Sequence, residues 1–211
     1  REAGRYLLAN DLTWGNAGNL SARIDDARCL ITASGTSLGE LADDDLVECC
    51  IDPCAAVSGS RKPSKELPMH AAIYRGRPEI NAVLHTSSFY TTLVACSDMD
   101  LPGNWFVEDM YYVERVARVP YVHPGAPGLG DAVAAVASEA NILLLENHGG
   151  LVYDTSVREA LMALHTLEVV CRMAVTAKSA GIAMRGLPPE TVADFLERSG
   201  YRPRRRWEGR S

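Results

Sequence analysis

"INAVLHTSSFYTTLVACSD", residues 80–98, is the stretch on which the fold class turns. Ile80 to Leu84 is apolar except for Asn81, and its near-continuous hydrophobicity reads as a strand buried on both faces. The strand delivers one histidine, His85, and the chain then becomes hydroxyl-rich and helical from Ser87 to Asp98. "NILLLENH", residues 141–148, repeats the pattern, ending in His148 before the Gly149-Gly150 turn. Buried strands alternating with helices indicate an α/β domain.

The flanking segments agree. "EAGRYLLANDL" (2–12) has helical spacing, and "KELPMHAAIYRGRP" (65–78) reads as a helix with Pro68 in its first turn, stopped before Pro78. Strands are predicted in "LSARI", "RCLITAS", "DDDLVECCID", "VERVARVPYV" and after His148, with "PCAAVSGSRKPS" a loop. Further helices are predicted in "GLGDAVAAVASEA", in the amphipathic "TSVREALMALHTLEVVCRMAVTAKSAG" capped near Thr155 or Ser156, and in "PPETVADFLERSG". No repeat and no linker divides the 211 residues, so the expectation is one domain with helices on both sides of a central sheet. The order of strands does not follow from the sequence.

Composition narrows the function classes. A chain 47% hydrophobic and 23% charged is ordinary globular material, and a net charge of -6 argues against nucleic-acid binding. The basic cluster "RPRRRWEGR" (202–210) reads as a solvated or partner-touching tail. No stretch approaches the ~20 apolar residues of a membrane span, and no signal peptide is expected ahead of the body, although the chain opens abruptly at Arg1. "CCIDPC" (49–54) lacks the second cysteine pair of a zinc knuckle, so reduced thiols in a cytoplasmic protein are expected. The sequon at Asn19 is discounted because no secretion signal accompanies it.

Chemistry is sought where polar residues end the strands. A lone strand-end histidine is more often a hydrogen-bonded core residue than a ligand, but His85 and His148 together point toward a cleft. "RKPSKE" sets Ser64, Lys65 and Glu66 at a helix N-terminus, where an anion is favoured; a capping motif with a solvated lysine is the plainer reading. "GNLS" and "TASGTS" are short glycine-and-hydroxyl turns, each a weak phosphate signal alone.

The order "GNLSARI", "ITASGTSLGEL", "KPSKELPMHAAIYRGRPEINAVLH", "LLLENHGGLVY", "REALMALHTLEVVCRMA" resembles the class II aldolase/adducin family, over about Ala9 to Ala177. The resemblance implies an α/β/α sandwich with a largely antiparallel or mixed sheet. It also implies a homotetramer with sites between subunits, the segment 178–211 reaching an interface, and a divalent metal, usually zinc. It implies phosphate contacts by Asn19, Ser34, Gly35 and Ser64, with Lys65 standing where the family has a second serine. Glu66 would be the acid/base carboxylate, able to touch the metal, and His85 and His148 metal ligands.

The family's middle histidine falls on Ser87, a neutral and poor ligand. Three outcomes compete: Glu66 completes the set with His85 and His148 to hold Zn2+, Mn2+, Co2+ or Fe2+; His123 swings in; or the metal is lost. "WFVEDMYYVERV" (105–116) supplies Asp109 and, as the aromatic alternative, Tyr112, which the resemblance offers as a further acid/base group, against a reading in which the acids cap a turn and the tyrosines pack at a subunit interface. "YYVERVARVPYVHPGAP" (111–127) is similar to the branch that contains 3-oxo-tetronate-4-phosphate decarboxylases. The implied activity is a metal-dependent carbon–carbon lyase acting on a small sugar phosphate or sugar acid through an enediolate, by aldol cleavage or decarboxylation. The alternatives are a non-catalytic adducin-like module and an Fe(II) oxygen-using enzyme.

Overall fold

The computed structural model describes residues 1–57, 61–200, 205 and 207. The eight strands are β1 (Asn19–Arg23), β2 (Arg28–Thr32), β3 (Leu46–Cys50), β4 (Ala55–Ala56), β5 (Ala82–Thr86), β6 (Val116–Val119), β7 (Ile142–Leu145) and β8 (Gly149–Asp154). They form one sheet in the order β4-β3-β2-β1-β5-β8-β7-β6. Every pairing is antiparallel except β6 with β7, so the sheet is mixed, as the resemblance implied.

Alternation along the inner strands splits the core into two layers. Val83 of β5, Leu143 and Leu145 of β7, and Leu151 and Tyr153 of β8 face one side. There they meet α2 (Leu67–Gly76) and α5 (Pro127–Ala134) through Met69, Ile73, Leu129 and Val133. Ala82, Leu84, Ile142, Leu144 and Val152 face the other side, against α1 (Glu2–Ala9), α3 (Phe89–Ala95) and α6 (Val157–Ala180). Each fully buried Leu, Ile or Val contributes about 1.5–3 kcal/mol. The arrangement is the expected α/β/α sandwich.

Local chemistry explains the element ends. Pro68 sits in the first turn of α2, where its missing N–H costs nothing. Ser156 caps α6 by accepting from the Glu159 N–H, and Gly181 closes that helix in the left-handed conformation. Helix α3 lacks a side-chain cap of its own and is held by Glu168 of α6. The Glu168 carboxylate accepts from the Tyr90 and Thr91 N–H groups and from the Ser88 and Thr91 hydroxyls, all at 2.7–2.8 Å. The chain just beyond His85 is therefore tied to the longest helix.

Several expectations need correction. α6 has 24 residues and is long and apolar enough to cross a membrane by length and composition, which the search for a ~20-residue apolar run missed. Its buried face, from Ala160 through Leu164, Leu167 and Cys171 to Ala174, packs in the core, which identifies it as the central helix of a layered domain. In the basic cluster 202–210 only Arg205 and Trp207 fall among the described residues, and both are buried, at 6% exposure each. Arg205 pairs with Asp154 at 2.6 Å and donates to the Tyr111 carbonyl, while Trp207 donates to Glu114 and lies under Arg77 and Arg115. Helix α4 (Val107–Tyr112) and strand β4 were not expected, whereas α7 (Pro189–Arg198) was.

Candidate active site

Three elements on the α2 side of the sheet supply the centre. β5 carries His85, paired in register with Asn19 of β1 and Leu151 of β8. The turn before β8 carries His148, and Glu66 immediately precedes α2. Backbone crowding is needed to bring them together. Gly18 packs so closely on β5 that an added methyl would lie 2.4 Å from the His85 carbonyl oxygen, and Gly149 so closely that one would lie 2.5 Å from that of Thr86.

Donor atoms of Glu66, His85 and His148 all lie within 4.8 Å of one another. Glu66 Oε2 is 3.5 Å from His85 Nε2, and Oε1 is 3.3 Å from His148 Nε2. Ligands about 2.1 Å from one ion in tetrahedral array sit about 3.4 Å apart, so these spacings fit a divalent metal. The loose ends fit as well. Glu66 Oε1 is buried without a hydrogen bond, although it lies beside His148. His85 Nδ1 is 2.9 Å from the Gly150 carbonyl, which can only accept; the ring proton is therefore on Nδ1 and the Nε2 lone pair faces the carboxylate.

The charges are consistent with a preformed cation site. Burial works to raise the Glu66 pKa, but His148, His85 and the Asn19 amide outweigh it and hold the carboxyl at about 2. Burial lowers the pKa of His85, with Glu66 opposing and His148 adding to the shift. The Glu66 carboxylate therefore faces a buried His85 imidazole that favours the neutral form, whose Nε2 lone pair points at it.

Ser87 is not turned toward this centre: its hydroxyl donates to the His148 carbonyl at 3.3 Å, and its own carbonyl accepts from the exposed Trp14 indole. His123 is exposed and bonded to the Tyr121 hydroxyl, so the geometry favours Glu66 as third ligand. The other expected residues fall into two groups. Ser34 and Gly35 form an exposed turn beside Ser64 and Lys65, because Ser34 N–H donates to the Lys62 carbonyl, Ser64 N–H to that of Thr32, and Ala33 pairs with Pro63. Ser64 Oγ accepts from the Glu66 N–H, linking this double turn to the centre. Asn19 is buried with its amide on Glu66.

Asp109 and Tyr112 take no part in the interactions of Glu66, His85 or His148. Asp109 is fully buried, Oδ2 accepting from the Trp105 N–H just before α4; Tyr112 meets Tyr111 edge to face with centroids 4.8 Å apart. Burial raises the Asp109 pKa to about 6. A raised carboxyl pKa means the folded state holds a proton that the unfolded state releases near pH 3.8, so stability falls as pH rises from about 4 to 6. Asp109→Asn keeps the acceptor and removes that loss. It should unfold at the same urea concentration as the parent below pH 4. At pH 7 it should be about 1–3 kcal/mol more stable, at 1.36 kcal/mol per pKa unit. A turnover loss beyond tenfold would instead place Asp109 in the chemistry.

The sequence reading missed His70, Ser21 and Tyr74, which extend the Asn19 contact inward. His70 was visible on α2 as a core-facing histidine, but its partners are 49 and 51 positions away.

The comparisons with known proteins agree with this geometry. The family model described as "Class II Aldolase and Adducin N-terminal domain" matches residues 1–175. A Haemophilus influenzae protein named 3-oxo-tetronate 4-phosphate decarboxylase is 35% identical over 202 residues, covering 93% of this chain and 94% of that one. The crystal structure of YgbL from Klebsiella pneumoniae superposes with a TM-score of 0.83 at 32% identity, over 92% of this chain and 93% of that one. A structure of L-fuculose 1-phosphate aldolase matches with a TM-score of 0.83 at 29% identity, over 94% and 92%. With its sheet order, its two helical layers and its Glu-His-His centre, the chain belongs to the class II aldolase/adducin family.

Proposed function

We propose that this protein is a divalent-metal-dependent carbon–carbon lyase that decarboxylates a small phosphorylated 3-oxo sugar acid. The observation that carries the reading is the convergence of Glu66, His85 and His148 beside the double turn that carries Ser34, Gly35, Ser64 and Lys65. A divalent ion held there, zinc on the donor set, supplies Lewis-acid polarisation of the substrate's oxygens. Breaking the bond to the carboxylate releases CO2 and leaves its electron pair on the substrate as an enediolate. Ser34 and Ser64 hold the phosphate through their hydroxyls and Gly35 through its backbone N–H, and Lys65 adds a positive charge at its rim. Asn19 orients Glu66, and Glu66 handles the proton at the reacting carbon.

One observation favours a second reading, aldol cleavage of a ketose 1-phosphate. Glu66 is ionised at neutral pH, and an ionised carboxylate is ready to take the hydroxyl proton that starts retro-aldol cleavage. Both reactions leave an enediolate, so one site serves either.

A cytoplasmic homotetramer is the assembly proposed. Six cysteines without a disulfide support a reducing compartment. Exposed Trp14, Phe89 and Leu93 border a hollow of about 370 Å³ beside Ser87, and Ile182 and Met184, in the segment from 178 onward, border another of about 500 Å³; such apolar surface supports subunit contacts there.

The test is a substrate screen with Zn2+, Mn2+, Co2+ or Fe2+ supplied. 3-Oxo-tetronate 4-phosphates should release CO2. Aldehyde from ketose 1-phosphates would favour the second reading, and neither product with any ion would remove the lyase assignment.

A further inference from the structure

We infer that His70 is a positioning residue that sets the orientation of the Glu66 carboxylate through Asn19; the inference rests on the metal-site reading above. His70 has no exposed surface, and both ring nitrogens are engaged. Nε2 lies 2.6 Å from Asn19 Oδ1, and Nδ1 lies 2.7 Å from Ser21 Oγ, which in turn lies 2.8 Å from the Tyr74 hydroxyl. Asn19 Nδ2 lies 2.7 Å from Glu66 Oε2.

Donor and acceptor chemistry permits one assignment along this chain. An ionised carboxylate only accepts, so Asn19 must turn its NH2 group toward Glu66. That leaves the amide oxygen facing His70, and His70 Nε2 must carry the ring proton. Nδ1 is then an acceptor, filled by the Ser21 hydroxyl, which accepts from Tyr74. The opposite tautomer would call for a flipped amide and set two oxygen acceptors 2.7 Å apart in a buried site.

The chain thus makes the two oxygens of Glu66 unequal. Oε2 is held by a fixed donor, whereas Oε1 is left without a hydrogen bond beside His148. His70 touches none of the three candidate ligands, yet it fixes which carboxylate oxygen is free. Packing explains a large side chain at this position. It does not explain two bonded ring nitrogens continuing to a serine and a tyrosine.

Co2+ binding to purified, metal-stripped protein tests the inference without a substrate. Affinity is read by competition with a chromophoric chelator, and coordination by the visible Co2+ absorption band. His70→Leu should weaken Co2+ about 10–100-fold, as outer-shell changes at metal sites do, and shift the band. His70→Gln, whose amide nitrogen can occupy the place of Nε2, should recover affinity and band. A folded His70→Leu with parental affinity and band, or a Gln variant no better than Leu, would overturn the role of His70. If His70→Leu does not fold, His70→Asn replaces it in the comparison, because its shorter amide lies at the Nδ1 position and leaves Asn19 without a donor. Parent protein that binds no Co2+ would remove the metal-site reading and this inference with it.

Discussion

Glu66→Gln should lower turnover by about 10²–10⁴-fold, the usual contribution of a positioned acid–base group. The two side chains have nearly the same shape, and a glutamine oxygen can still accept from Asn19, so the loss would come from the missing charge and proton affinity. Stability should change in a way that can be separated from this. A carboxyl held at about 2 in the folded state, against 4.5 unfolded, adds stability above pH 4.5 that is lost as pH falls toward 2. At 1.36 kcal/mol per pKa unit the variant gives up at most about 3 kcal/mol at neutral pH. It should melt a few degrees earlier but remain folded at room temperature, and its melting temperature should change less than the parent's between pH 4.5 and 2. A variant with normal turnover would show that another group moves the proton.

His148→Ala should weaken zinc binding by more than the roughly 10–100-fold typical of outer-shell changes. His148 is the cleanest of the three candidate ligand positions to remove. Its side chain is 13% exposed and its Nδ1 makes no hydrogen bond, so truncation removes only its contacts with Glu66 and the His85 ring. In the parent, zinc at one hundred times its dissociation constant should stabilise the fold by about 2.7 kcal/mol. For a chain of this size that is a rise of about 5–10 °C in melting temperature. The variant should show little of this rise. An equal rise in both proteins would mean that zinc sits elsewhere.

Much of the site was legible in residues 80–85 and 141–148, because continuous apolar strands advertise burial and a histidine at each end stands out. Glu66 was legible through its place at the mouth of a helix. What stayed hidden depends on side chains meeting across the sheet. Asn19 entered as a phosphate contact through the family resemblance, and nothing in its neighbourhood along the chain announced the amide contacts to Glu66 and His70. Helix α4 is only six residues long, and its Asp109 reaches back to the Trp105 N–H, so the segment resembled a turn. Arg205 looked solvated amid other arginines, although Asp154 and Glu114 supply buried partners from 51 and 91 positions away. Periodicity carries no record of such distant pairings.

The place of β5 and β8 in the sheet has a further consequence. His85 lies on one of these two neighbouring strands and His148 directly precedes the other, with three strands beyond β1 on one side and two beyond β8 on the other. Their amides should therefore be among the slowest to exchange with deuterated solvent, opening only when the whole molecule unfolds. Fraying of the outlying strands would leave the cation's seat whole, and retention of bound metal would report cooperative denaturation rather than breathing at the margins.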